Sequence, residues 1–510
     1  MEIAQHLKIL RDRENFRDQY WQKRDPIIKD RLLWRAQSFR HLVHLLPGQS
    51  ILELGGGNGL FTQALNKVSR GENSITSVTF QEEIYKPMEL SLNIEFIQLS
   101  LFPGKLEGKL YDFIVVMDLL DRSNSSWVLQ QIYQLLKPGG QILLYESNPW
   151  NIFLQANRVI SKLFGKTDHR KLFNRSQLYE LISEIGFIKI FSIYNDFVYA
   201  PLTPSGVWWL RNLSILLENF PVIRTFAGSI LIHARKPPQD LPLLQISLCE
   251  HKQLYGSISV VVPCHNEEMN IQPLINQLLN LYGEYIYEII LVDDNSKDNT
   301  RQIIEKMAEQ FPQIKKIIRT PPNGVGLAIR DGYKLAKGRY ILSLDCDFQH
   351  LLPELRDLFD AALEGFDVII GSRFSRSSVL LNYPFKKIVA NRAFHFLARS
   401  MFLGKFRDLT NNLKLINREV IDKLELTQEG FAINAETGLL PLLMGYKVKE
   451  VPISWINRTL DMGVSSFKLV KVGGGYWEVL IKLWIKMVFN NKSFYPTTTL
   501  KNKFKYNTVK

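Results

Sequence analysis

The stretch Tyr340-Ile-Leu-Ser-Leu-Asp345-Cys-Asp347-Phe-Gln349-His350 decides how the second half of this chain is read. An apolar run of strand length ends in two carboxylates one residue apart, so both are presented where the chain leaves the pleat. Carboxylates this close repel one another unless a cation resolves the charge. Hard oxygen donors suit Mg²⁺ or Mn²⁺, whose shell a diphosphate can share. Alone, such a pair is more often a solvated loop.

Two upstream stretches have the same form. Ser259-Val-Val-Val-Pro263-Cys-His265-Asn266-Glu267-Glu268 ends an apolar run in a proline and acids, and Ile289-Ile-Leu-Val-Asp293-Asp294-Asn-Ser296 ends the next in a polar cluster. Strands are expected at 258–262, 288–292, 340–344 and 368–371, alternating with helical patterns, which implies a parallel sheet covered on both faces. Three strands then deliver carboxylates to one edge, where an open α/β sheet binds its ligand. The glycines of Asn323-Gly-Val-Gly326 suit a loop that closes onto that ligand and runs into a helix.

Residues 32–236 repeat the alternation, with strands expected at 50–54, 75–80, 113–117 and 141–145. Ser50-Ile-Leu-Glu53-Leu-Gly55-Gly-Gly57-Asn-Gly59 is a strand entering a glycine-rich turn, with a helix beginning near Phe61. Free N–H groups at such a turn can meet negative charge. Between the two halves, Arg235-Lys-Pro-Pro-Gln-Asp-Leu-Pro-Leu-Leu-Gln245 holds three prolines and reads as a linker.

The glycine-rich turn, with Lys137-Pro138-Gly139-Gly140 and the strand after it, resembles class I S-adenosylmethionine-dependent methyltransferases. The resemblance implies that Glu53, Gly55, Gly57 and Gly59 shape a cofactor site for S-adenosylmethionine. That family closes its second strand with a carboxylate for the ribose; here Thr79 stands there, with Glu82 three residues on, and Leu99 and Ser100 stand near the adenine position. No base for a methyl acceptor can be singled out.

The second set of motifs, joined by Gly371-Ser-Arg373-Phe, Asp408-Leu-Thr and Glu450-Val-Pro-Ile, resembles inverting family 2 glycosyltransferases of the GT-A fold, most closely the dolichol-phosphate and polyprenol-phosphate mannose synthases. The resemblance implies that Pro263, His265, Glu267, Asp293 and Asp294 take the base and ribose of a nucleotide-diphosphate sugar, with Asp345 and Arg373 also at the donor. It implies that Asp345, Asp347 and Gln349 hold the metal, and that Arg373, Arg392 and Arg458 meet donor and acceptor phosphates. Lys414 stands where some relatives have arginine.

The expected fold class is therefore α/β throughout: a Rossmann-like methyltransferase domain followed by a GT-A domain with a mixed sheet. The expected boundaries are a helical extension at 1–30, domains at 31–236 and 257–490, a linker at 237–256 and a basic tail at 491–510. Three readings of function stay open. The second domain transfers a hexose to a polyprenyl phosphate; or a methyltransferase modifies a glycan or lipid-linked sugar while the second domain uses a hydroxyl acceptor, with Asp408 or Glu436 as base; or the first domain is a scaffold.

Composition limits the alternatives. In 510 residues, 46% are hydrophobic and 22% charged, near the globular average. Cys249, Cys264 and Cys346 form no ligand-like cluster, which argues against a structural zinc site. The opening residues carry charges throughout and lack the apolar core of a secretory signal, so a cytosolic location is expected. Ten of the lysines and arginines that give the +13 net charge lie in 457–510, against Asp461 and Glu478. With no helix-turn-helix or zinc pattern, nucleic acid is not the expected partner. An anionic membrane surface is, through the run Gly475–Phe489, whose charges fall every four residues among tryptophans. The bland alternative for that run is core packing.

Overall fold

The computed structural model describes residues 3–22, 27–82, 93–164, 170–198, 203–220, 222–238, 246–346, 352–375, 378–381, 383–456 and 469–489. Asp347, Gln349 and Arg458 lie outside them, as do the lysines beyond residue 489. The chain divides into two compact units, Met1–Leu244 and Gln245–Lys510.

The first unit opens with helices α1 (Ile3–Gln22) and α2 (Ile27–Leu42). It continues β1 (Ser50–Leu54), α3 (Leu60–Val68), β2 (Ser74–Thr79), β3 (Ile94–Gln98), β4 (Tyr111–Met117), α4 (Ser125–Leu135) and β5 (Leu136–Ser147). Then follow α5 (Ile152–Leu163), α6 (Arg175–Ile185), β6 (Ile188–Asn195), α7 (Pro204–Glu218) and β7 (Ser229–Arg235). The sheet order is β3-β2-β1-β4-β5-β7-β6, parallel except for β7. Its central strands are apolar without interruption because both faces are covered: Ile51, Leu52, Ile114 and Leu143 are fully buried. Residues 137–140, which precede the strand expected at 141–145, belong to β5 as well. Leu136 pairs with Tyr111 and a register shift before Phe113 absorbs the extra chain, with Gly139 taking φ +74°.

The second unit runs β8 (Ile258–Cys264), α8 (Ile271–Tyr282), β9 (Ile286–Asp293), α9 (Thr300–Gln310), β10 (Ile314–Ile318), α10 (Val325–Leu335), β11 (Tyr340–Ser343) and α11 (Leu355–Leu363). It goes on through β12 (Val368–Ser372), β13 (Leu380–Leu381), α12 (Phe385–Phe402), β14 (Lys414–Asn417), α13 (Arg418–Ile421) and α14 (Ile433–Leu443). It ends with β15 (Val448–Pro452), β16 (Trp455–Ile456) and α15 (Leu469–Phe489). The large sheet has the order β10-β9-β8-β11-β14-β12-β15, with β14 antiparallel to both neighbours. That reversal matters for the site. Ser343 pairs with Lys414, so the segment entering β14 lies at the same edge as the segment leaving β11.

Candidate functional site

At that edge lies a cavity of about 500 Å³. Pro263, His265, Glu267, Asp294, Asp345 and Arg373, delivered by the ends of four strands, all line it. Each of these residues had been expected at the donor. Asp345 is fixed from the opposite chain direction: Asn412 Nδ2 donates to its carboxylate at 2.8 Å, and Ser343 Oγ donates to Asn412 Oδ1 at 2.8 Å.

Asp294 is committed to the protein. It pairs with Arg319 and accepts the Gly324 N–H at 2.7 Å, tying the loop before α10 to the strand end. The glycines of that loop answer to the main chain: a Cβ on Gly324 or Gly326 would collide with carbonyls of Gln428 and Glu429, and the Gly326 N–H donates to Glu429 O at 2.8 Å. Asp293 is buried, bonded to the Ser296 N–H at 3.1 Å, and is absent from the cavity wall.

Arg373 is buried against Asp408. Its Nε and Nη2 donate to the two carboxylate oxygens at 2.7 and 2.9 Å, its main-chain N–H adds a third bond at 3.0 Å, and Nη1 reaches Tyr383 Oη at 3.2 Å. Burial opposes charge on Asp408, but the Arg373 guanidinium overrides it and holds the carboxyl well below its ordinary range. Arg392 does not line the cavity. It lies over the Phe374 ring and donates to Arg407 O at 3.2 Å, so it supports the 407–412 segment.

Two further residues that hold this segment, His395 and Glu450, were not read from sequence as doing so, nor were the partners of Lys414. His395 accepts the Leu409 N–H on Nε2 at 2.8 Å while Nδ1 donates to Asn391 O at 2.8 Å, which fixes one neutral tautomer; burial pushes its pKa down to about 4. Glu450 accepts the Arg407 and Asp408 N–H groups. Lys414, pushed down to about 7 by burial, donates to Asn434 O and Thr437 Oγ1.

Phe394, Leu397, Tyr476 and Trp477 also line the cavity, as do Lys387 and Asn391. Helix α15 packs one face inward and turns another outward. Val479, Leu480 and Leu483 are buried in the core, while Trp477, Ile481, Trp484 and Ile485 are exposed. Among the described residues no helix is long and apolar enough to cross a membrane, and no group of three or more His, Cys, Asp or Glu is arranged to hold a metal ion.

In the first unit the glycine-rich turn is formed, with Gly55, Gly57 and Gly59 at φ +78°, +47° and +70°. Its cradle, however, is filled by α1. Glu14 accepts the N–H of Gly57 at 2.9 Å and of Phe80 at 2.8 Å; Arg17 donates to Gly55 O at 2.5 Å and Met117 O at 3.0 Å; Asp18 pairs with Arg17 at 2.7 Å. A Cβ on Gly57 would run into the Asp18 carboxylate. Glu53 is buried beneath, bonded by Thr62 and Ser77, and pushed up to about 7 by desolvation. Glu82 faces solvent and pairs with Arg11, away from this cradle. The residues as arranged do not fit S-adenosylmethionine, since the chain's own side chains make the bonds a cofactor would need.

Residues 259–425 match the family model Glycosyl transferase family 2, and residues 22–190 match a Methyltransferase domain model. The dolichol-phosphate mannosyltransferase of Pyrococcus furiosus is 31% identical over 204 residues, 39% of this chain and 56% of that protein, so the match spans about half the relative's length. The polyprenol monophosphomannose synthase of Mycolicibacterium smegmatis is 28% identical over 231 residues, 44% of this chain and 84% of that one. Among solved structures, the glucosyl-3-phosphoglycerate synthase of Mycobacterium tuberculosis, in complex with phosphoglyceric acid, aligns with a TM-score of 0.35 at 20% identity, over 44% of this chain and 79% of the other.

Proposed function

From a chain that joins a methyltransferase domain to a family 2 glycosyltransferase domain, we propose that the second unit transfers a hexose from a nucleotide-diphosphate sugar to a polyprenyl phosphate, inverting the anomeric carbon. The names of the two curated relatives support the acceptor class. The observation that carries the reading is the commitment of the carboxylates. Asp408 is saturated by Arg373, and Glu436 accepts the N–H groups of Thr427 and Gln428 and the Thr427 hydroxyl. Neither can take a proton from an alcohol. A phosphate monoester needs no base, because its second pKa is about 6.

The acceptor oxygen attacks C1 of the sugar opposite the diphosphate. The new C–O bond forms as the old one breaks, and the nucleoside diphosphate leaves with the electron pair. Pro263, His265 and Glu267 orient the donor; Lys387 offsets repulsion between the two anions; Phe394, Leu397 and Trp477 suit a prenyl chain. Mg²⁺ or Mn²⁺ held by Asp345, with Asp347 and Gln349 as the expected further ligands, would neutralise charge on the departing diphosphate. Exposed tryptophans on α15 favour work at a membrane face.

For the first unit, the filled cradle favours a scaffold over methyl transfer. The donor reading is tested by thermal unfolding with a panel of nucleotide sugars. One of them should raise the melting temperature only when Mn²⁺ is present. Protection by none, or protection indifferent to metal, contradicts it.

A further inference from the structure

Helix α5 of the first unit turns an apolar stripe to solvent. Ile152, Ala156, Val159, Ile160 and Leu163 follow the spacing of one helical face. They are not core residues left partly open: Val159 is 62% exposed, Leu163 80% and Phe164 79%. Trp150, 60% exposed, precedes the helix. Contiguous exposed apolar surface of this kind marks an interaction site.

The stripe is presented by a rigid base. Asn148 Nδ2 donates to the carbonyls of Thr225 and Ala227 at 2.8 and 2.7 Å, and Asn151 Nδ2 to Phe226 O at 2.9 Å. The Asn151 side chain also caps the helix through the Leu154 N–H at 2.8 Å. On the inner face, Arg158 donates to Arg170 O at 3.1 Å.

Charge selects the occupant. The helix carries Arg158 and Lys162 and no acid, in a chain of net charge +13. A second copy would bring the same cations against themselves, whereas an anionic bilayer complements them. At 12 residues the helix is too short to span. An apolar face flanked by lysine and bounded by Trp150 and Phe164 is the pattern of a helix lying in the headgroup region. We propose that α5 is a membrane-docking helix for anionic lipid, placing the methyltransferase-family unit against the bilayer. This inference is independent of the acceptor assigned to the second unit.

The test is co-sedimentation of the full chain with phosphatidylcholine vesicles, with and without phosphatidylserine, beside the double variant Ile160→Glu/Leu163→Glu. Both positions are exposed, so the melting temperature should not change. Binding should require phosphatidylserine and fall at least about tenfold in the variant. Lys162→Glu should weaken the phosphatidylserine preference alone. No wild-type binding, or equal binding by the double variant, overturns the proposal. So does a dimer that the double variant converts to monomer without lipid, since a second copy would then own the stripe. Sugar transfer to a short, water-soluble acceptor should be the same in all three proteins, which separates this result from the fate of the transfer reading.

Discussion

Arg373 and Asp408 meet along both edges of the carboxylate, Nε to Oδ2 at 2.7 Å and Nη2 to Oδ1 at 2.9 Å, with Asp408 wholly buried. The pair clamps the 408–412 segment to the end of β12. The same segment supplies Asn412 to Asp345, so the ion pair helps to fix the geometry of that carboxylate.

Removing one member leaves the other charge buried without its partner. Asp408→Asn is expected to destabilise the second unit by ~3 to 5 kcal/mol and to abolish sugar transfer. Denaturant unfolding followed by tryptophan fluorescence checks the first effect. A variant as stable as the wild type would show that the pair does not hold the segment.

Glu53 gives a pH signature in the first unit. Its folded pKa, raised to about 7 by burial, exceeds its unfolded value, so the folded state keeps the proton longer. Stability from this group is full below the ordinary glutamate range and is lost as pH rises to about 7. Relative to Glu53→Gln, the wild type should lose up to ~3 kcal/mol across that window, at about 1.4 kcal/mol per unit. Parallel pH profiles for the two proteins would contradict the assignment.

The filled cradle predicts silence in calorimetry. The full chain should show no binding of S-adenosylmethionine even at millimolar concentration. Glu14→Ala, which leaves the Gly57 and Phe80 N–H groups without their acceptor, should cost ~1 to 3 kcal/mol of stability. Micromolar binding by the wild-type chain would mean that α1 yields to the cofactor.

What was legible in the sequence and what was not divides along range. The apolar runs ending at Glu267, Asp294 and Asp345 could be read locally, because a strand buried on both faces writes itself as an unbroken hydrophobic stretch. The packing of α1 could not. It buries His6, Leu10, Arg13, Glu14, Arg17, Asp18 and Trp21, a helical stripe that is mostly charged and so reads as a solvated face. Its spacing was the available signal; its chemistry concealed it. The partners of Asp345 and Arg373 were hidden for another reason. Asn412 and Asp408 reach them only because β14 runs backwards between β11 and β12, a long-range pairing that no local pattern encodes.

The most direct measurement of the central claim uses labelled nucleotide sugars, Mn²⁺ and two acceptors, a short polyprenyl phosphate and the corresponding unphosphorylated polyprenol, followed by solvent extraction. The account predicts that label enters the lipid phase with the phosphate and not with the alcohol, and that Asp345→Asn lowers the rate by about a hundredfold or more without lowering stability. Transfer to the alcohol, or an undiminished rate in Asp345→Asn, would contradict it.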